Sequence, residues 1–228
     1  MDNKFVWHGS PVGDIEVFQP RESTQKGAFV YAAADFEVAA AFGCAMGSLT
    51  RDLSFRNGKI NIVERIEGYF TKHDAPIYIY KLPADGFEVF EEDNWKNLEM
   101  RCPNQVKPVE VLKFDSFLEL YKQLAAEGKI DLYLYPEKPE GVSQNDYDVI
   151  QSVVHIYRMN PEKHIGIFDK FAYLYPKFEK IAKYLKDMLP LMTNQQLKDY
   201  ARSVYDRKTD RLLPELESLL EEENEDDK

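Results

Sequence analysis

The pattern of apolar residues changes partway along the chain, and this change most constrains the fold. Segment 135–141 (Tyr-Pro-Glu-Lys-Pro-Glu-Gly) has the proline, glycine and charge content of a linker. Before it, short apolar and β-branched runs predict strands, whereas after it apolar residues recur at helical spacing. The sequence therefore predicts a mixed domain over residues 1–134, a helical domain over 142–223 and a disordered acidic tail over 224–228.

Two local signals place elements before the linker. The Asn57-Gly58 dipeptide is typical of a tight hairpin with strands on either side. Asp35 is predicted to cap a short helix with its carboxylate, and three alanines from Ala39 onward would let that helix lie close to a neighbouring backbone. The predicted strands cover residues 4–8, 27–33, 53–55, 60–63, 77–82, 87–90, 98–102 and 109–114, and the predicted helices cover 36–45 and 116–128.

The C-terminal part is predicted to consist of helices. Thr193 and Gln196 match a capping box at the start of one of them. The many tyrosines of this region fall mostly at core-like helical spacing without a dense basic stripe, which favours core packing over stacking on single-stranded nucleic acid. The predicted helices cover residues 147–157, 161–174, 176–189, 194–207 and 214–223.

The net charge of −11 is concentrated at the C-terminus. Residues 215–228 contain eight acidic residues and one lysine, a charge of −7, which leaves −4 for residues 1–214. Non-specific nucleic-acid binding depends on basic surface, so this composition argues against it. No apolar run is long enough to cross a bilayer, and residues 1–4 lead directly into strand-like sequence without the layout of a signal peptide. The sequence predicts no membrane partner.

Cysteine and histidine usage predicts a protein of the reducing cytoplasm without a metal site. Cys44 and Cys102 are too few for a disulfide framework, and both are interpreted as small apolar core residues. His73, His155 and His164 are scattered without the spacing of metal ligands.

Two N-terminal stretches combine residue types that suit a ligand pocket. Residues 7–10 read Trp-His-Gly-Ser, which joins a large apolar ring, an imidazole and a glycine that lets a ligand approach the backbone. A second strand-like run begins at Gly27 and carries Tyr31, and Phe42 lies eleven residues beyond that tyrosine. Taken singly, His8 could be a structural histidine and the two aromatic residues could belong to the core. Together they predict a nucleotide pocket.

This order and spacing resembles the nicotinamide-binding half of ADP-ribosyltransferases of the poly(ADP-ribose) polymerase and diphtheria-toxin branch, whose triad is His-Tyr-Glu. In that branch a Trp-His-Gly-Ser strand end precedes a Gly-x-x-x-Tyr strand and a second aromatic residue. Gly27, Tyr31 and Phe42 stand at these positions here, and the resemblance covers roughly residues 4–124. The predicted fold class is α+β: an ADP-ribosyltransferase-like split β-sheet core with flanking helices, followed by an all-α C-terminal helical domain.

The resemblance places the third triad residue on a late strand of the same domain. Glu99 is the candidate, because a valine-rich, strand-like segment follows it as in the family. The two residues after it, Met-Arg, depart from the aromatic residue and β-formers that the family often shows there. Glu110 is the alternative, and Glu91 and Glu92 remain open.

The resemblance also implies that NAD is the substrate and that no metal takes part. Breaking the nicotinamide–ribose bond leaves positive charge on the ribose, which Glu99 would stabilise while holding the 2′-hydroxyl. Tyr31 and Phe42 would sandwich the nicotinamide ring by offset stacking. The catalytic set implied is Glu99, His8 and Tyr31, and all three must converge on one cleft.

Further residues of the motif would hold the rest of NAD. His8 would hydrogen-bond a hydroxyl of the adenosine ribose, and Gly9 would pair its backbone with the nicotinamide carboxamide. Ser10 completes the strand-end motif, and Arg21 could face a phosphate. One departure is Ala39, which replaces a small polar residue of the family and removes a hydrogen bond of about 0.5–1.5 kcal/mol to the carboxamide.

Two functions from different classes follow from the sequence. The first is an enzyme that transfers ADP-ribose from NAD to an unknown acceptor, which could be protein, nucleic acid or water, with the helical domain available to a protein partner. The second is a non-catalytic module of the same fold that binds a nucleotide or a protein. A helical scaffold, in which the N-terminal domain is merely structural, is a third alternative.

Overall fold

The computed structural model describes residues 4–22, 27–89 and 98–226, with side chains described up to residue 221. It combines helices and strands, which confirms the α+β class. The chain divides into two compact units, one formed by Met1–Gly47 and Arg51–Leu134 and the other by Ser48–Thr50 and Tyr135–Lys228. The two units are described separately.

In its described residues, the first unit consists mainly of strands with three short helices. Most strands follow the predicted positions, because alternating β-branched and aromatic residues favour half-buried strands. In chain order the elements are β1 (Phe5–Ser10), β2 (Arg21–Glu22), β3 (Ala28–Ala33), α1 (Phe36–Phe42), β4 (Arg51–Arg56), β5 (Lys59–Glu64), α2 (Tyr69–Lys72), β6 (Ile77–Pro83), β7 (Glu88–Val89), β8 (Glu99–Cys102), β9 (Glu110–Phe114), α3 (Phe117–Ala126) and β10 (Ile130–Tyr133).

The strands of the first unit form two sheets. The larger is antiparallel in the order β7-β8-β3-β1-β6-β9, with β2 added alongside β3. The smaller has the order β10-β5-β4, in which β5 and β10 run parallel. Strand β1, which carries the Trp-His-Gly-Ser motif, is thus an inner strand of the larger sheet.

Each face of the larger sheet has its own apolar core. Alternation along β1 directs Trp7 to one face and Val6 to the other. Trp7 packs against a cluster that joins α1, α3 and strands of both sheets, including Ile62, Ile79 and Phe117. Val6 belongs to a second cluster with Phe18, Tyr80 and Met100. The motif strand is therefore held from both sides.

The second unit consists of helices and one small hairpin. Its helices follow the predicted helical spacing of apolar residues. The elements are α4 (Tyr147–Met159), α5 (Pro161–His164), α6 (Ile167–Leu174), α7 (Glu179–Met188), α8 (Asn194–Ser203), β11 (Tyr205–Asp206), β12 (Arg211–Leu212) and α9 (Pro214–Asp226), with 3₁₀ turns at Pro176–Phe178 and Leu189–Leu191. The capping box of Thr193 and Gln196 is present, as predicted.

Three details of the first unit differ from the predictions. The carboxylate of Asp35 makes no capping hydrogen bond to α1. Strand β2 lies where no strand is predicted, and it forms because Arg21 and Glu22 pair with β3. Strand β10 was not predicted, because its four residues pair with β5 from far along the chain and local alternation does not reveal such a pairing.

The second unit differs from the predictions in three places. The predicted helix 161–174 is interrupted near Gly166, which favours helix ends over helix interiors. The predicted helix 194–207 stops at Ser203, and the chain turns into the hairpin β11–β12, so this unit is not purely helical. Helix α9 continues to Asp226, whereas the sequence predicts disorder from residue 224, because successive glutamates are good helix formers. Residues 227–228 lie outside the described residues.

Within the described ranges, no helix has the length and apolar character needed to cross a membrane.

Candidate functional site

A cleft of about 180 Å³ in the first unit is lined by four of the predicted site residues. They come from four elements: His8 from β1, Tyr31 from β3, Phe42 from the end of α1 and Glu99 from β8. Gly9 and Ala39 also line the cleft. Among its described lining residues, Glu99 is the single acidic one.

The register of the larger sheet explains why Tyr31 and Glu99 meet. Trp7 pairs with Ala33 across β1 and β3, and Ala33 pairs with Glu99 across β3 and β8. Directly opposed residues share a face of the sheet, as do residues two positions apart on one strand. Tyr31, two residues before Ala33, is therefore a diagonal neighbour of Glu99 on the face that Trp7 also occupies.

The ring of His8 spans β1 and β3 where their pairing ends. In the described residues, β1 and β3 are paired at one position, where Trp7 lies opposite Ala33. Beyond it, His8 Nδ1 donates a hydrogen bond to the Tyr31 carbonyl oxygen at 2.7 Å, and the ring packs on Phe18 with ring centres 4.6 Å apart. This contact fixes the imidazole at the edge of the cleft.

The environment of His8 keeps its ring neutral. Burial lowers the pKa of His8, the positive charge of Arg21 lowers it further, and the hydrogen bond to Tyr31 opposes both effects. Because Nδ1 carries the proton of the neutral ring, Nε2 has a lone pair. The site therefore has a hydrogen-bond acceptor at Nε2, suited to a hydroxyl group of a ligand.

The close approach of α1 to β1 requires the glycine of the motif. A Cβ atom on Gly9 would lie 1.9 Å from the Ala39 carbonyl oxygen and 2.7 Å from the Gly43 Cα atom. No side chain fits at these distances, so α1 can pack here only against a glycine. The sequence predicts that Gly9 lets a ligand approach the backbone. The contact with α1 gives a structural reason for this glycine as well.

A buried arginine holds the C-terminal end of α1. The Arg51 guanidinium donates to the carbonyl oxygens of Ala41 and Met46, the latter at 3.1 Å, and to the Tyr121 hydroxyl at 3.2 Å. The same hydroxyl lies within hydrogen-bonding distance of the Ala41 carbonyl oxygen, and burial raises the pKa of Tyr121. These donors satisfy carbonyl groups that a helix end leaves open, and the arginine charge favours this end of the helix dipole. They position Phe42.

The remaining predicted binding residues do not line the cleft. Ser10 is buried, and its hydroxyl oxygen accepts from the Val12 amide at 3.0 Å, which stabilises the turn after β1. Arg21 is exposed on β2 and influences the cleft through its charge on His8. We therefore assign Ser10 a structural role instead of the predicted ligand contact.

The alternative carboxylates are elsewhere. Glu110 lies on β9, which two strands separate from β3 in the sheet order, and forms a 3.4 Å ion pair with Lys81. It does not line the cleft. Glu91 and Glu92 lie outside the described residues. Glu99 is accordingly the carboxylate that the structure brings to His8 and Tyr31.

Several residues of the site were not predicted from the sequence. The side chains of Val38 and Leu98 add apolar walls to the cleft, and their signal was only general hydrophobicity. Arg51 was also missed, because an arginine in a strand is ordinarily solvent-exposed, whereas this one is 6% exposed. Arg51 stands five residues after Met46, and the sequence around it matches no recognisable motif.

The arrangement suits recognition of a flat, largely apolar ring attached to a sugar. Aromatic and aliphatic groups enclose the cleft, one neutral imidazole accepts at its edge, and one carboxylate can stabilise a nearby positive charge. Its volume is below the roughly 300–1,000 Å³ of pockets that enclose a drug-sized ligand. The cleft therefore fits a ring-sized portion of a larger molecule. In the described part of the chain, no cluster of three or more histidine, cysteine or acidic residues could hold a metal ion.

Comparison with known proteins found no protein-family model, curated protein or solved structure that matches this chain. The functional assignment therefore rests on the residues of the cleft.

Proposed function

We propose that this protein is an NAD-dependent ADP-ribosyltransferase that breaks the nicotinamide–ribose bond and transfers ADP-ribose to an acceptor. The observation that carries the proposal is the convergence of His8, Tyr31, Phe42 and Glu99 on one cleft. These side chains come from four separate elements, and their types and order match the His-Tyr-Glu branch. The proposal extends to an ADP-ribosyltransferase-like fold for the first unit.

The cleft suits the nicotinamide end of NAD. Tyr31 and Phe42 both line it, and the flat nicotinamide ring would stack on them in offset geometry. The neutral His8 would accept a hydrogen bond from a ribose hydroxyl at Nε2. The small volume admits the ring, and the adenosine end would extend along the protein surface.

Glu99 supplies the catalytic charge in this proposal. The bond between ribose C1′ and the nicotinamide nitrogen breaks, and its electron pair stays on nicotinamide, which leaves as a neutral molecule. The ribose then carries positive charge, which the Glu99 carboxylate stabilises more strongly than it stabilises ground-state NAD. A nucleophile of the acceptor bonds to C1′ and releases its proton. The acceptor would be protein, nucleic acid or water.

Ala39 favours a second candidate, a non-catalytic module of the same fold. The alanine lines the cleft with a methyl group where the family has a small polar side chain, so the carboxamide loses a partner worth about 0.5–1.5 kcal/mol. This module would bind a nucleotide or a protein without breaking a bond. The two candidates differ in one product, free nicotinamide.

The direct test is release of nicotinamide from NAD by the full chain. We expect turnover by the wild type and a decrease of about 10²–10³-fold in Glu99→Gln, a typical effect of removing one transition-state partner. The matched control is Glu110→Gln, which removes a carboxylate of the same sheet that does not line the cleft. Absence of turnover in the wild type, or equal turnover in Glu99→Gln, would exclude the enzyme.

Calorimetry tests the non-catalytic module if no nicotinamide is released. Saturable NAD binding that His8→Ala weakens, without product, would support the non-catalytic module. The cytoplasm is the proposed location, and the second unit is the proposed contact region for a protein partner.

A further inference from the structure

A groove in the second unit gathers four basic side chains between two helices. His155 and Arg158 project from α4, and Lys198 and Arg202 project from α8. On each helix they are three or four residues apart, so they share a face. The groove has a volume of about 540 Å³, and none of its described lining residues is acidic. The three cations of this group, Arg158, Lys198 and Arg202, are unexpected together on a chain with a net charge of −11.

Protein carboxylates do not neutralise these charges. Arg158, Lys198 and Arg202 form no salt bridge with any residue whose side chain the structure describes. Asp199 follows Lys198 in the chain. Its carboxylate oxygens instead accept hydrogen bonds from the Gln195 side-chain amide, at 3.0 and 2.9 Å. Adjacent like charges repel each other, so a bound anion would stabilise this arrangement.

One buried hydrogen-bond donor in the groove lacks an acceptor. The Nε atom of Arg158 is buried and has no partner among the described residues. Its Nη2 atom donates to His155 Nδ1 at 3.4 Å, which leaves the proton of the neutral imidazole on Nε2 as a further donor. A buried donor without an acceptor is costly, and in native proteins it commonly marks the place of an unseen partner.

The helices that carry these groups are fixed to each other. The Gln151 side chain on α4 donates to the Ala201 carbonyl oxygen on α8 at 3.0 Å. The buried residues Val154 and Leu197 lie on the same two helices and anchor them in the core. The four basic groups are thus presented on rigid elements, which lowers the entropic cost of binding.

We propose that this groove binds the phosphate group of a small phosphorylated molecule. Arginine guanidinium groups match phosphate oxygens with paired donors, and the lysine ammonium adds a point charge. The volume is within the range of about 300–1,000 Å³ typical of small-molecule sites. The groove shares no residue with the NAD cleft, so this proposal stands independently of the ADP-ribosyltransferase assignment.

Calorimetry with pyrophosphate on the full chain at low ionic strength tests the site. We expect saturable binding that weakens about tenfold or more in Arg158→Gln and in Lys198→Gln, and that decreases as salt increases. Lys198 is exposed, so its variant retains the fold even if Arg158→Gln does not. The matched controls Arg207→Gln and Lys183→Gln remove exposed cations of the same unit outside the groove and should bind as the wild type does.

Proton NMR locates the bound anion. Pyrophosphate should shift the imidazole signals of His155 and leave those of His73, in the first unit, unchanged. Absence of saturable binding, or an equal loss in the control variants, would overturn the proposal. Binding of a single-stranded oligonucleotide that pyrophosphate does not displace would also overturn it, because the groove would then serve a macromolecule.

Discussion

At the scale of single residues, the histidine of the Trp-His-Gly-Ser motif combines a structural role with a proposed role in ligand binding. Its Nδ1 atom donates a hydrogen bond to the Tyr31 carbonyl oxygen and so links β1 to β3, as a structural histidine does. Because that same bond holds the proton of the neutral ring on Nδ1, the lone pair of Nε2 is the acceptor in the proposed contact with a ligand. The structural and functional interpretations of His8, which the sequence set against each other, are therefore compatible.

The protonation of His8 makes stability depend on pH. Because the pKa of His8 is lowered in the folded state from the usual value of about 6.5, the unfolded chain takes up a proton first as pH falls. The stability contributed by the neutral ring is complete above that value and is lost as pH falls toward the folded pKa. We expect the advantage of wild type over His8→Gln in free energy of unfolding to decrease from pH 7.5 to pH 5.5.

Urea unfolding of both proteins at several pH values measures this difference. The other titrating groups, including His155, are present in both proteins and cancel. A difference that stays constant or grows on acidification would contradict the environment described for His8.

At the scale of elements, the packing of α1 on β1 links the fold to the site. Gly9 permits the contact, the alanines of α1 keep it close, and Arg51 holds the far end of the helix. Phe42 reaches the cleft as the last residue of this helix.

Replacement of Gly9 tests this contact. A Cβ atom 1.9 Å from the Ala39 carbonyl oxygen forces backbone shifts, so we expect Gly9→Ala to lose about 1–3 kcal/mol in free energy of unfolding. Chemical denaturation measures the loss. Gly47→Ala is the matched control, because a Cβ atom there meets nothing within 4 Å and should change stability by less than about 0.5 kcal/mol. Equal stability of the two variants would show that α1 does not press on β1.

Local signals predicted most of these elements. Asn57 and Gly58 both adopt positive φ angles, 51° and 77°, in the turn between β4 and β5, as the Asn-Gly signal predicts. Apolar alternation likewise predicted β1, β3 and β6. Pairings between distant segments were not predictable, since the register of Ala33 with Glu99 joins residues 66 positions apart. The burial of Arg51 was also not predictable, because it depends on α1 and α3 meeting β4.

At the scale of the whole molecule, the two units carry different parts of the chemistry. The proposed NAD cleft lies in the first unit and the proposed phosphate groove in the second. The strong negative charge of residues 215–228 belongs mainly to α9, whose Leu216 is fully buried. The C-terminal segment thus begins as part of the folded second unit, whereas the sequence predicts disorder for its last residues, 224–228.

The contribution of α9 can be measured by truncating one side chain. We expect Leu216→Ala to lose about 2–5 kcal/mol in free energy of unfolding, because the residue is 0% exposed and its removal leaves a cavity. Leu191→Ala is the matched control, since that leucine is 85% exposed and should change stability by less than about 0.5 kcal/mol. Urea denaturation reports both values. A small loss in Leu216→Ala would show that α9 does not belong to the core.

The central claim is that Glu99 acts on NAD in the cleft it shares with His8 and Tyr31. Its most direct measurement is the rate of nicotinamide release by wild type, Glu99→Gln and Glu110→Gln under the same conditions. We expect turnover by wild type and Glu110→Gln and a decrease of about 10²–10³-fold in Glu99→Gln. Equal rates in all three proteins, or no nicotinamide from any of them, would contradict it.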